Sequence, residues 1–164
     1  VIKSPYAKTV GYELIHAARL HRARAAQLLA ELGLFPGQEQ VLTLLATEDR
    51  TMGELAEHLR VRPPTASKTV ARLAAQNLVE RRPAAGSGDG RLVRVGLTEE
   101  GRRRAAALDE VWARLEAETV DGLDGKDRKR LKKLLRKVGK ALSIRLGDPA
   151  APEEVADAEA DDEA

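Results

Sequence analysis

Lys68 and Arg72 stand four residues apart, among Pro64, Thr65 and Ala71, in a stretch that is apolar at Ala66, Val70 and Leu73. At about 100° per residue the three apolar positions share one helix face, and the other five share the opposite face. That outer face is small or basic and holds no acid. An ordinary solvated face mixes both signs, so the bias points to a polyanion. Lys and Arg can read guanine edges or neutralise phosphate, Thr can bond to either, and the Ala71 methyl can lie against a thymine methyl.

A second stretch, "PAAGSGDGRLVRV" from Pro83 to Val95, places Gly86, Gly88 and Gly90 within five residues. Such a segment could cradle phosphate, hold a metal, link domains or form a hairpin tip. A phosphate loop follows a strand and opens a helix, with amides at the helix N-terminus. Here the glycines lead into the alternation Val93, Val95, Leu97, and no Walker-type Gly-Lys-Ser/Thr follows. A calcium loop needs several spaced carboxylates, and Asp89 is alone. The tip of a hairpin is left, where glycine permits a tight turn and close approach to another backbone.

Other chemistries lack their residues. His16 and His21 are five apart and fall on different helix faces, while His58 belongs to another helix, so no zinc site is expected. The sequence has no Cys, which removes disulfides, thiolate metal sites and thiol-based redox sensing. No Ser/His/Asp set has supporting context, and Glu99-Glu100 favours a helix start over acid–base work. We expect no catalytic residue, no metal and no cofactor: a binding protein, not an enzyme.

The elements that must position the basic face and the hairpin follow from periodicity. Tyr6 to Leu32 reads as a helix, started by Ser4-Pro5 and stopped by Gly33, with Val10, Leu14, Ala18, His21, Ala25, Leu28 and Leu32 in a stripe. Gln38–Ala46 forms a second. Thr51 with Glu54 three residues on is the capping-box pattern, opening a short third helix that buries Leu55, Ala56 and Leu59. A tight turn at Arg60–Arg62 precedes Pro63-Pro64, which suit a first helical turn, and a fourth helix runs to Gln76. Leu78–Arg82 and Arg91–Leu97 are the hairpin strands, with Pro83 ending the first. Thr98 caps a long helix to about Val120, with Ala105, Leu108, Trp112, Leu115 and Thr119 in a stripe. Gly122 and Gly125 break it, and a last helix runs Lys126–Leu146.

The fold class expected is therefore mainly α with a small β-hairpin. It is a helix-turn-helix whose second helix suits a major groove, followed by a wing and flanked by long terminal helices. The parts divide as 1–34, an N-terminal helix; 35–97, the winged helix-turn-helix; 98–146, C-terminal helices; and 147–164, a tail expected to be disordered. Aromatic residues are four, so the core must be Leu, Val and Ala.

Charge agrees with the basic face. The tail holds eight of the 26 acidic residues and no Lys or Arg, so the rest of the chain carries +10 although the whole carries +2. A body this basic fits a polyanionic partner, and equally a Lys/Arg-rich helical surface with none. No apolar run could span a bilayer and no signal peptide opens the sequence, so the expected place is the cytoplasm, away from membranes. The last helix is a basic amphipath, which leaves a second reading: an interaction or membrane-surface module without DNA specificity. It lacks interfacial aromatics, and its stripe Leu131, Leu134, Leu135, Val138, Leu142 suits a dimer better.

The segments "PGQEQVLTLL" (36–45), "TMGELAEHLRV" (51–61), "TASKTVARLAAQNLVER" (65–81), "DGR" (89–91) and "VGLTEEGRR" (95–103) together resemble the MarR-type transcriptional regulators. The likeness is close from Phe35 to about Trp112 and extends to the flanking helices by arrangement. The Asp-x-Arg followed by Leu-Thr-x-x-Gly is its most specific part. The resemblance implies a homodimeric double-stranded-DNA-binding regulator, a repressor on a palindromic operator, with interlocked terminal helices, recognition helices in successive major grooves and wings in the flanking minor grooves. On that template Thr65, Ser67, Lys68 and Arg72 are the recognition-helix residues. For Thr65 and Ser67, hydrogen bonding at the helix start competes with base contact. Asp89 would hold the guanidinium of Arg91, and Arg91 would enter the minor groove. The resemblance also implies a small-molecule effector, which Tyr12, His16, Arg19 and Trp112 could contact, although Tyr12 and Trp112 suit plain packing as well. Two positions depart from the family: Arg62 stands where a Ser or Thr cap is usual, and Pro64 where a small polar residue is usual. The helix start then relies on proline, with Arg62 left to meet phosphate.

Overall fold

The described residues form six helices and two strands: α1 (Val10–Glu31), α2 (Gln38–Thr47), α3 (Met52–His58), α4 (Pro63–Ala75), β1 (Val79–Pro83), β2 (Val93–Leu97), α5 (Glu99–Thr119) and α6 (Gly125–Leu146). The computed structural model describes residues 6–83 and 93–147. The chain divides into two compact units, one ending at Thr119 and one beginning at Val120.

The first unit is built around an aliphatic core, as the scarcity of aromatics requires. Leu28, Leu29 and Leu34 at the end of α1 join Val41, Leu42 and Leu45 of α2, Leu55 of α3, Val70 and Leu73 of α4, Val79, Val95 and Leu97 of the hairpin, and Leu108, Val111 and Leu115 of α5. The face expected of α4 is the one it buries: Ala66, Val70 and Leu73. Thr51 and Glu54 form the capping box, each side chain bonded to the other's backbone N–H. The turn between α3 and α4 passes through Arg60 at φ 51°, and the chain leaves the end of α4 through Asn77, φ 57°. Asn tolerates this left-handed conformation better than most residues.

The strands pair antiparallel, Val79 opposite Leu97 and Pro83 opposite Val93. Pro83 is therefore itself paired and does not stop the strand before itself. A third strand position, not legible in the sequence, lies in the α2–α3 turn. There Arg50 pairs with Val95, N–H to carbonyl in both directions at 3.0 and 2.7 Å.

Thr98 caps α5 as expected, its hydroxyl accepting from the Gly101 N–H at 3.0 Å and donating to the Asn77 carbonyl at 2.7 Å. Gly101 closes the Leu-Thr-x-x-Gly motif for a steric reason. A Cβ there would lie 1.9 Å from the Leu78 carbonyl oxygen.

Several expectations need correction. α1 begins at Val10, not near Ser4-Pro5, because Thr9 is its cap, accepting from the Tyr12 N–H. The first two turns of its stripe are not core: Val10 is 78 % exposed, and the buried residues are Leu28 and Leu29. Leu59 is the half-buried cap after α3 and not part of its buried face. On α5, Trp112 and Thr119 lie exposed, while Val111, outside the expected stripe, is buried. Gly125 does not break a helix but is the first residue of α6, capped by the Asp124 carboxylate accepting from the Asp127 N–H. α6 itself buries none of its residues. No helix among the described residues is long and apolar enough to cross a membrane.

Candidate nucleic-acid interface

The helix-turn-helix is α3, the Arg60–Arg62 turn and α4, with α4 anchored by its three buried residues. Burial of that face turns Arg62, Pro64, Thr65, Ser67, Lys68 and Arg72 outward, and all six are exposed. Arg62 sits at the cap position without a side-chain hydrogen bond, and Pro63 and Pro64 occupy the first turn, where the missing N–H groups cost nothing. Arg62 at the helix start and the basic side chains Lys68 and Arg72 one and two turns on present one positive surface to an anion. Asp89 and Arg91 lie outside the described residues, as do the three glycines of the hairpin tip and residues 148–164.

The base of the hairpin is described, and it holds residues that sequence reasoning missed. Arg82 of β1 donates from Nη1 to Asp49 at 3.1 Å, and from Nη2 to Glu80 at 2.6 Å and to the Leu97 carbonyl at 2.9 Å. Its pKa is raised above the ordinary arginine value, chiefly by the Glu80 hydrogen bond and then by Asp49. Arg94 of β2 donates to the Asp49 carbonyl at 2.7 Å, with Glu54 3.9 Å away. The Glu54 carboxyl lies below the usual range, held first by the Thr51 backbone N–H, then by the Thr51 hydroxyl, with Arg94 a smaller contribution. Gly96 makes room for this cluster, since a Cβ there would lie 2.3 Å from Asp49 Oδ1 and 2.7 Å from Arg82 Nη1. The wing is thereby fastened to the α2–α3 turn by one strand position and a set of charge-assisted bonds. No periodicity could have revealed Asp49, because its partners lie 33 and 45 residues away.

The residues considered for a small-molecule site do not converge within one protomer. Tyr12 and His16 stack with parallel rings 6.3 Å apart on α1. Trp112 instead lines an open hollow of about 270 Å³ with Glu39, Gln40, Thr43, Leu44, His58 and Leu59, to which Tyr12, His16 and Arg19 do not contribute. On α6, Leu131, Leu134, Leu135 and Leu142 are 40 to 51 % exposed and Val138 is half-buried. No group of three or more His, Cys, Asp or Glu among the described residues could hold a metal ion.

A sequence model of the MarR family matches residues 20–92. Solved structures agree over most of the chain. Wild-type MarR from E. coli, in its apo form, has a TM-score of 0.65 and 25 % identity, covering 79 % of this chain and 96 % of that one. A MarR family protein of Mycobacterium tuberculosis in complex with salicylic acid has a TM-score of 0.60 and 26 % identity, covering 79 % and 96 %. The S. aureus MepR–DNA complex has a TM-score of 0.65 and 22 % identity, covering 85 % and 99 %, a likeness of fold. No curated protein sequence matches.

Proposed function

We propose that this chain, whose residues 20–92 match a sequence model of the MarR family, is a homodimeric, sequence-specific double-stranded-DNA-binding transcriptional repressor. The observation that carries this reading is the outer face of α4. Thr65, Ser67, Lys68 and Arg72 are all exposed, no acid interrupts them, and the helix is rigidly seated by Ala66, Val70 and Leu73. Lys68 and Arg72 contact base edges or phosphates in the major groove, Arg62 a phosphate at the helix start, and Arg91, oriented by Asp89, the adjacent minor groove. Dimerisation is supported by the exposed leucines of α6 and by the exposed Val10, Ile15 and Leu20 on α1, apolar surface of a kind monomers rarely leave open. A small-molecule effector is supported by the hollow beside Trp112.

The test is a gel shift with the duplex flanking the protein's own gene, using protein whose folding and oligomeric state have been checked. A specific shift at moderate salt, weakening steeply as salt rises, is expected. Absence of a shift from folded dimer overturns the reading. Binding to anionic vesicles that is indifferent to Lys68→Ala and Arg72→Ala would establish the membrane-surface module in its place.

A further inference from the structure

Arg50 is tied to the wing by its backbone and to the Trp112 hollow by its side chain. Its N–H and carbonyl both pair with Val95 of β2. Its side chain is 14 % exposed, and its buried Nε has no hydrogen-bond partner. The guanidinium is therefore held at its two terminal nitrogens: Nη2 lies 2.9 Å from Glu48, and Nη1 lies 3.2 Å from Nε2 of His58. His58 also lines the hollow, together with Trp112 of α5 and Glu39 of α2.

The ring of His58 has a defined hydrogen-bonding state. Its Nδ1 is 2.8 Å from the Glu54 carbonyl oxygen. A carbonyl only accepts, so Nδ1 carries the hydrogen, and in the neutral ring Nε2 is bare and accepts from Arg50. Protonation puts a hydrogen on Nε2. The accepted bond is then replaced by two opposed N–H groups and two facing cations. Near this pair stand Glu48 beyond Arg50, the Glu54 carboxylate engaged by Thr51, Arg94 beside Glu54, and Glu39 across the hollow, whose carboxylate accepts from the Gly37 N–H at 2.6 Å. Glu48 and Glu54 are thus already paired.

We propose that His58 and Arg50 are positioning residues for the wing: neutral His58 holds Arg50 in the α2–α3 turn, Arg50 holds β2 through Val95, and protonation of His58 loosens the wing and weakens DNA binding. The last clause rests on the DNA-binding reading; the link from His58 to the wing does not. The sign is diagnostic, because added positive charge ordinarily tightens binding to a polyanion.

The experiment compares the full chain with His58→Gln and Arg50→Lys at about pH 8 and about pH 5.5, on either side of neutrality. One readout is hydrogen-exchange protection of the Arg50 and Val95 amides without DNA, normalised to Leu42 in the core. The other is affinity for the duplex flanking the gene. In the wild type, protection and affinity both fall roughly three- to tenfold on acidification, the scale of one charge-assisted hydrogen bond. In His58→Gln the amide oxygen accepts from Arg50 at both pH values, so affinity at the higher pH is retained and the acid-induced loss disappears. Arg50→Lys keeps the charge but not the fork, and protection is low at both pH values. Equal pH responses in wild type and His58→Gln overturn the proposal. So does acid that tightens binding through His58, which would make it a direct phosphate contact. If the exchange response appears and no duplex binds, the DNA reading fails while the link to the wing stands.

Discussion

Helices α4 and α6 carry the same kind of pattern and meet opposite fates. Each sets an apolar stripe against a basic face, with Lys68 and Arg72 on α4 and many more Lys and Arg on α6. In α4 the stripe is buried to about 1 % exposure or less at Ala66, Val70 and Leu73. In α6 the stripe is longer, with Leu131, Leu134, Leu135, Val138 and Leu142, yet no residue of the helix is buried. Amphipathic period states which side of a helix is apolar. It does not state what covers that side. For α4 the cover lies in the same core, in α2, α3 and the hairpin. For α6 the reading proposed above places it on a second copy of the chain.

The sharpest way to break this contrast is one glycine packed against the core that covers α4 and one on the uncovered α6. Gly101→Ala puts a methyl 1.9 Å from the Leu78 carbonyl oxygen, a backbone atom held by its own bond from the Thr98 N–H at 3.1 Å. Alanine ordinarily favours a helix over glycine by about 1 kcal/mol. Here the clash outweighs that gain, and we expect a loss of about 3 kcal/mol, read as a lowered urea midpoint. An unchanged midpoint would mean that α5 does not seat on Leu78 as described.

Next in size is the matched removal of charge. Lys68→Ala with Arg72→Ala takes two cations from α4, four residues apart; Lys133→Ala with Lys137→Ala takes two from α6 at the same spacing. The α4 pair should cost about 1–3 kcal/mol per residue in DNA affinity, roughly thirtyfold or more together, with the melting temperature unchanged. The α6 pair removes the same charge away from the proposed contact and should cost no more than about threefold, the long-range background. Equal losses from both pairs would reduce DNA binding to nonspecific attraction and remove α4 from its special place.

How much of this was legible in the sequence depends on distance along the chain. The capping box at Thr51, the inward face of α4, the Thr98 cap and the hairpin each rest on residues a few positions apart, and each is present. The sequence offers α1 two good starts, Ser4-Pro5 and Thr9, and the fold takes the one whose hydroxyl accepts from the Tyr12 N–H. Periodicity does not separate Trp112 from Val111 on α5, neighbours whose burial depends on where α1 and α2 lie. The wing base was invisible: Asp49, Arg50, Arg82 and Arg94 read as ordinary surface charges until the fold brings them together. The roles read for Asp89 and Arg91 rest on resemblance and fall outside the described residues.

A smaller effect tests the other side of the contrast. Nothing lies within 4 Å of a Cβ placed on Gly139, midway along α6. Gly139→Ala should therefore follow helix propensity alone and raise stability by about 1 kcal/mol, the opposite sign to Gly101→Ala. A loss would show that a second copy approaches α6 at this glycine, which analytical ultracentrifugation of the variant would reveal as a weakened dimer.

The smallest expected effect concerns acid. Arg24 of α1 grips Glu118 of α5, Nε to Oε2 at 2.5 Å and Nη2 to Oε1 at 2.8 Å, and Arg114 adds a bond to Glu118 at 3.2 Å. The Arg24 hydrogen bond, more than any other influence, holds the Glu118 carboxyl down to about 2. A carboxyl whose pKa is lowered in the folded state stabilises the fold above its ordinary pKa of about 4.3, and that contribution fades as pH falls toward the lowered value. The melting temperature of the wild type should therefore drop between about pH 4.5 and about pH 2 with a component that Glu118→Gln lacks. At neutral pH the two should differ little, because the pair is exposed and solvent screens it. Superimposable pH profiles would mean that the grip of α1 on α5 is aliphatic, through Leu28, Leu29, Val111 and Leu115, with the charges as bystanders.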